Sequence, residues 1–170
     1  MTEENIMRKI KIEKLVLSIG GTADKLEKGC KLLERLTGKK VAVRKTKKRI
    51  PTLGVMPGLK VGCLVTLRGK EAENMLGKLF AAENNVIKKK CITGNSFSFG
   101  IKEYIEIPGV EYQRDIGIIG FDASVALSRA GKRVSERKIK QGKLPKRQNI
   151  AKEEIIEFIK NKFNVSFIGR

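Results

Sequence analysis

Histidine and tryptophan are absent from this chain, and tyrosine occurs only twice. Without histidine there is no general base titrating near neutral pH, no Ser-His-Asp arrangement and no imidazole-ligated zinc site. The three cysteines, Cys30, Cys63 and Cys91, are widely spaced and never form a CxxC pair, so neither a disulfide framework nor a thiolate metal cluster is expected, and a reducing compartment fits best. The phosphate-cradling patterns GxxxxGK(S/T) and GxGxxG are missing, and Gly20-Gly21 lacks the rest of either. No apolar stretch approaches the ~20 residues of a membrane span, and the N-terminal run MTEENIMRKIKIEK has no core of signal-peptide length. A soluble, intracellular protein with no membrane partner is expected.

Acidic residues are scarce as well: 18 Asp and Glu face 37 Lys and Arg, a formal net charge of +19. Two-metal nucleases need clustered carboxylates, and the candidates here are Glu103, Glu106, Glu111, Asp115 and Asp122. Their spacing matches no catalytic arrangement, so a solvated surface turn is the favoured reading. The chain is therefore not expected to be an enzyme, and no metal, cofactor or small-molecule substrate is expected.

What the chain does have is positive charge in two concentrations. Lys39 to Lys60 carries eight basic residues and no acid, with glycine and proline at its centre and short apolar alternations on either flank, which describes a projecting hairpin. Arg129 to Asn149 carries nine basic residues against Glu136 alone and too few large apolar residues to bury a core, which describes an extended basic arm. Such a field asks for a polyanion, and nucleic acid is the first candidate. If hairpin and arm together meet ~6–10 phosphates, affinity should fall ~10³–10⁵-fold between ~50 and ~200 mM salt.

The remaining pattern is that of a folded body. Ile10, Ile12, Leu15, Leu17 and Ile19 alternate as a strand with a slip near Glu13-Lys14, which predicts a bulge. Leu26, Cys30, Leu33 and Leu36 make one helical stripe, with Thr22 as N-cap and Gly38 just past its end. Val41 and Val43 start a second strand, and Val61, Cys63, Val65 and Leu67 make a third. A helix over about residues 70–82 follows, inward at Ala72, Met75, Leu76, Leu79 and Phe80 and ended by Asn84-Asn85. Phe97, Phe99 and Ile101, then Ala123, Val125 and Leu127, mark two more strands, and Ile155, Ile156, Ile159 and Phe163 mark a terminal helix. One domain over 1–170 is expected, with a core over 7–131, the arm over 129–149 and the helix over 150–163.

Phe97 and Phe99 suit either the core or base stacking, and core is favoured because alternating phenylalanines usually line one buried strand face. Single-strand binders depend on aromatic stacking, whereas structured RNA is read by shape, phosphate and 2′-hydroxyl contacts, so folded RNA is the expected target. Thr66 and Arg68 fall on one side of the third strand near Ser18, and short donors of this kind suit sugar and phosphate contacts.

Several runs carry a family resemblance: LTGKK at 36–40, KVGCLVTLRGKEAE at 60–73, TGN followed by FGIKEYI over 93–105, and IGIIGFD at 116–122. In that order, from about Met7 to Gly131, they resemble the universal large-subunit ribosomal protein five family, the 5S rRNA binders of the central protuberance (L-eleven in eukaryotic cytosolic nomenclature). The short N-terminus and basic tail are similar to the version in eukaryotic cytosolic ribosomes. The resemblance implies an α+β fold, a mainly antiparallel sheet with helices packed on one face, a long basic hairpin loop and a basic C-terminal arm ending in a helix. It implies 5S rRNA contacts at Ser18, Lys39, Thr66 and Arg68; the last two match the family in type, while the first two stand where Asn and Gln are usual.

It further implies rRNA phosphate contacts at Arg44, Lys45, Lys47 and Lys48, and a loop facing P-site tRNA made of Arg49, Thr52, Gly54, Val55, Met56 and Lys60. The basic arm is represented by Arg129, Lys132, Arg133, Arg137, Lys138 and Lys140. Expected partners are 5S rRNA, large-subunit rRNA, P-site tRNA and neighbouring proteins of the central protuberance, at a cytoplasmic ribosome reached through the nucleus or nucleolus. The rival from another class is an RNA chaperone or regulator acting away from the ribosome with the same surface.

Overall fold

The computed structural model describes residues 5–169. Its centre is a six-stranded sheet formed by β1 (Lys11–Gly20), β2 (Ala42–Lys45), β3 (Lys60–Leu67), β5 (Ile92–Thr93), β6 (Ser96–Ile101) and β7 (Phe121–Ser128), while β4 (Val86–Lys88) lies outside it. The strand order is β2-β3-β1-β7-β6-β5, and all of the pairings are antiparallel. The fold class is the expected α+β, and the β1–β7 register slips between Ile12 and Lys14, where the break in alternation predicts a bulge.

Alternation decides which side chains go inside. Leu15, Leu17 and Ile19 of β1, Cys63, Val65 and Leu67 of β3, Phe97, Phe99 and Ile101 of β6, and Ala123, Val125 and Leu127 of β7 all bury one face of the sheet. Against that face pack α1 (Ala23–Thr37), α2 (Lys70–Ala82) and α4 (Lys152–Phe163), through residues such as Leu33, Leu76, Phe80 and Ile155. Phe80 holds the ring cluster together, with centroids 6.2 Å from Phe97, 5.4 Å from Phe99 and 5.1 Å from Phe163. The phenylalanines of β6 are thus core residues and have no face free for bases. Burial of Cys63, with Cys30 beside it, pushes its thiol up to about 12, so it remains a neutral apolar filler.

The buried stripe of α1 differs in detail from the spacing. Gly29 and Leu32 are buried, while Cys30 and Leu36 are only half-buried. A Cβ at Gly29 would lie 3.0 Å from Ile19 and 3.4 Å from Cys63, so the missing side chain lets the helix approach the sheet closely and rotates its stripe. Thr22 occupies the N-cap with extended backbone but makes no side-chain bond, whereas Gly38, at φ 62°, closes the far end with its N–H on the Glu34 carbonyl. Asn84 and Asn85, both left-handed, terminate α2 as expected.

Two features depart from expectation. The segment after β7 is not simply extended: it contains a short helix, α3 (Arg133–Glu136), and folds back so that Gln148 donates to the Ala130 carbonyl at 2.5 Å and the Ile150 N–H donates to Asn95 Oδ1 at 3.0 Å. None of residues 129–149 is buried, as its composition requires. Beyond α4, β8 (Ser166–Ile168) pairs in parallel with β4, a pairing of three-residue strands that carries no periodic signal.

Candidate nucleic-acid interface

Among the described residues no long helix packs on the other face of the sheet. Reading across the registers, one row places Ala42, Leu64, Ser18, Asp122 and Gly100 side by side, and the next places Thr66, Val16, Ser124 and Ser98. None of these residues is buried. Small and hydroxyl side chains dominate, because a residue facing neither core nor helix gains nothing from apolar bulk. The result is a shallow platform of rotatable donors and acceptors suited to sugar and phosphate groups.

Of the four expected 5S contacts, Thr66, Arg68 and Lys39 lie toward one end of the β1–β3 pair and Ser18 further along the same face. Ser18 lies opposite Leu64 and Thr66 opposite Val16, so the two hydroxyls are diagonal neighbours on adjacent strands, a relation that spans ~7–8 Å. Arg68 follows β3 directly and is exposed, with no carboxylate partner among the described residues. Lys39, in the turn between α1 and β2, forms an ion pair with Glu71 in the first turn of α2, three positions beyond Arg68. That pair ties the α1–β2 turn to the end of β3 and so sets Lys39 near Arg68. Both partners are well exposed, so the contribution to stability is small and an anion can compete for the lysine.

The hairpin is formed by β2 and β3, with β2 as the sheet edge. Arg44 lies opposite Gly62 on the open side, and Lys45 opposite Lys60 after a bulge. The loop is braced from within: Thr46 donates its N–H to the Leu59 carbonyl at 2.9 Å and its hydroxyl to the Met56 carbonyl at 2.6 Å, and Ile50 and Val55 exchange backbone bonds. Arg44, Lys45, Lys47, Lys48 and Arg49 are exposed and none pairs with an acid among the described residues. Thr52, Gly54, Met56 and Lys60 are exposed on the loop too, but Val55 is not: it is 6% exposed, because its strand-like bridge to Ile50 turns the side chain into the loop. Val55 therefore braces the tip and presents no side chain to a partner.

The arm divides into engaged and free cations. The Arg129 guanidinium donates to Glu154 Oε2 at 2.5 Å and to the Arg147 carbonyl at 3.4 Å; the same carboxylate accepts the Ala151 N–H at 3.1 Å, at the start of α4. Lys132 pairs with Glu13, at the β1 bulge, and with Glu136. Partial burial disfavours the Lys132 charge, but the hydrogen bonds to these two carboxylates outweigh it and raise its pKa above the ordinary value. Arg129 and Lys132 thus fasten the arm to the body. Arg133, Arg137, Lys138 and Lys140 make no ion pair among the described residues, and of these only Arg137 is occupied by a backbone carbonyl, that of Lys140 at 2.7 Å.

What the sequence reading missed is the width of the platform. Ser96, Ser98 and Ser124 extend it beyond Ser18 and Thr66, and the alternation SFSFGI was the available signal, since it buries the phenylalanines and exposes the serines. The acids Glu103, Glu106, Glu111, Asp115 and Asp122 are all exposed; among the described residues no three His, Cys, Asp or Glu side chains gather closely enough to hold a metal ion. No described helix is long and apolar enough to cross a membrane.

The sequence matches known proteins. The model of the C-terminus of the ribosomal L5 protein family matches residues 60–164, from the start of β3 through α4. The chain is 44% identical to the large ribosomal subunit protein uL5 of Nanoarchaeum equitans over 168 residues, covering 97% of this chain and 99% of that one. It is 43% identical to the protein of the same name from Sulfurisphaera tokodaii, covering 96% and 95%. It is 37% identical to that of Sulfolobus acidocaldarius, covering 98% and 95%. With the match running through both the open-faced sheet and the helices behind it, the chain belongs to the ribosomal protein uL5 family.

Proposed function

We propose that this protein uses the open face of its sheet to bind 5S rRNA and anchor it in the central protuberance of the large ribosomal subunit. It is a ribosomal protein with a structural role, and on this reading it performs no catalysis. The observation that carries the reading is the uncovered platform, with Thr66, Arg68 and Lys39 at one end of the β1–β3 pair and Ser18 further along the same face. Hydroxyls there meet ribose and phosphate oxygens, Arg68 supplies a forked, charge-assisted contact, and Lys39 adds a point charge. The scarcity of aromatics and the burial of Phe97 and Phe99 favour a folded RNA over a single strand.

Around this platform Arg44, Lys45, Lys47 and Lys48 neutralise phosphates of large-subunit rRNA, joined by the free cations of the arm. The loop carrying Arg49, Thr52, Gly54, Met56 and Lys60 faces P-site tRNA, and proteins of the central protuberance are its neighbours. The site of action is the cytoplasmic ribosome, with passage through the nucleus or nucleolus during assembly. Gel shifts of the full chain against 5S rRNA, an unrelated duplex of equal length and a single strand test the central claim. Preference for 5S rRNA is expected. Equal affinity for all three overturns it in favour of a general RNA chaperone, and cross-linking on intact ribosomes tests the tRNA contact separately.

A further inference from the structure

Lys88, Lys89 and Lys90 take no part in the interface described so far. All three are exposed, and none pairs with a carboxylate among the described residues. Their backbone is nonetheless held firmly. Ile87 before them is 3% exposed and Ile92 after them 2%, while Cys91 packs half-buried against the core. Lys88 lies in the β4–β8 ladder opposite Ile168, and the 3-10 turn Lys89–Cys91 closes with the Ile92 N–H on the Lys89 carbonyl. Fixed backbone on both sides forces the lysines outward, so binding here costs side-chain entropy but little backbone ordering.

This turn leads directly into β5, the strand at the opposite edge of the sheet from β2 and the hairpin. Cations therefore lie at both edges of the sheet, Arg44 to Arg49 beside β2 and Lys88 to Lys90 just before β5. Between them the face presents hydroxyl and small side chains together with Asp122. Five strand spacings of ~4.8 Å separate the edges by ~24 Å. A ligand meeting both at once must hold phosphates that far apart in a fixed geometry, which a folded RNA does and a flexible single strand does only at an entropic cost.

We infer that Lys88, Lys89 and Lys90 form a second phosphate-binding edge, so that a folded RNA spans the whole sheet from the hairpin to β5. This rests on the reading of the open face as the 5S rRNA site. The test is titration of the full chain with 5S rRNA between ~50 and ~200 mM salt. It compares wild type, the triple variant Lys88→Ala, Lys89→Ala, Lys90→Ala, and a charge-matched control Lys25→Ala, Lys28→Ala, Lys31→Ala on the exposed side of α1, behind the sheet.

Each phosphate-contacting lysine removed should flatten the log–log salt dependence by ~1, so the triple variant should lose ~2–3 of slope and the control less than ~1. Thermal melts should show both variants folded like wild type. A triple variant indistinguishable from the control in slope and affinity overturns the second edge, even where wild type prefers 5S rRNA over an unrelated duplex. Equal wild-type affinity for both RNAs overturns the sheet-face reading instead, so the two failures are told apart by which protein shows them.

Discussion

The two faces of the sheet are made by the same strands, yet they obey different rules. On the packed face every position in the centre is apolar and almost fully buried: Leu15 and Leu17 of β1 and Ala123 of β7 are 0% exposed. One residue along each strand, the open face carries Lys14, Val16, Ser18, Ser124 and Ala126, none of them buried. Stability is drawn from the first face, where apolar area is removed from water. The second keeps polar groups solvated, ready on the proposed reading to exchange water for RNA. Division of labour by strand parity lets the interface change without disturbing the core, and the predictions that follow probe that independence.

The largest expected effect belongs to the packed face. Phe80→Ala removes the ring at the centre of the aromatic cluster and should cost ~3–5 kcal/mol of stability in urea unfolding. The folded fraction should still bind 5S rRNA normally; loss of affinity in that fraction would show that the faces are coupled. Next, Arg68→Ala should weaken 5S rRNA binding by ~1–3 kcal/mol with an unchanged melting temperature. Unchanged affinity would remove Arg68 from the site.

A smaller and less selective effect is expected from the hairpin. Lys45→Ala, Lys47→Ala and Lys48→Ala should each flatten the salt dependence by ~1 and weaken every RNA to a similar degree, because phosphate contacts carry no sequence information. A loss confined to 5S rRNA would turn the hairpin from a general anchor into a reader. The smallest effect concerns Lys132, which joins the arm to the β1 bulge. Its folded pKa is raised, so its contribution is fully present at neutral pH and is lost as pH climbs through the alkaline range past its ordinary value of 10.5. Melting of wild type and Lys132→Met should therefore differ at neutral pH and converge at strongly alkaline pH.

Much of the fold was legible because alternation and helical spacing report directly on burial. The bulge in β1, the inward face of α2 and the asparagine stop at Asn84-Asn85 were all readable in this way. Gly29 was not: only the close approach of α1 to Ile19 and Cys63 explains why a glycine lies where the helix meets the sheet. The parallel pairing of β4 with β8 was also hidden, since strands of three residues have too few positions to show a period. Within the candidate site, Thr66 and Arg68 stood out as a motif, whereas Val55 looked like any other loop residue until its bridge to Ile50 turned it inward.

The linear order of residues determined the net charge, its concentration in a hairpin and an arm, the lack of histidine and the parity of each strand, because these depend only on composition and local period. Tertiary structure decided which cations are free. Lys39, Arg129 and Lys132 look the same in sequence as their neighbours, but folding brings Glu71, Glu154 and Glu13 to them from distant segments. It also decided that one face of the sheet stays uncovered, since every long helix finds its apolar partner on the other side. Long-range proximity sets both outcomes, and no local pattern encodes it.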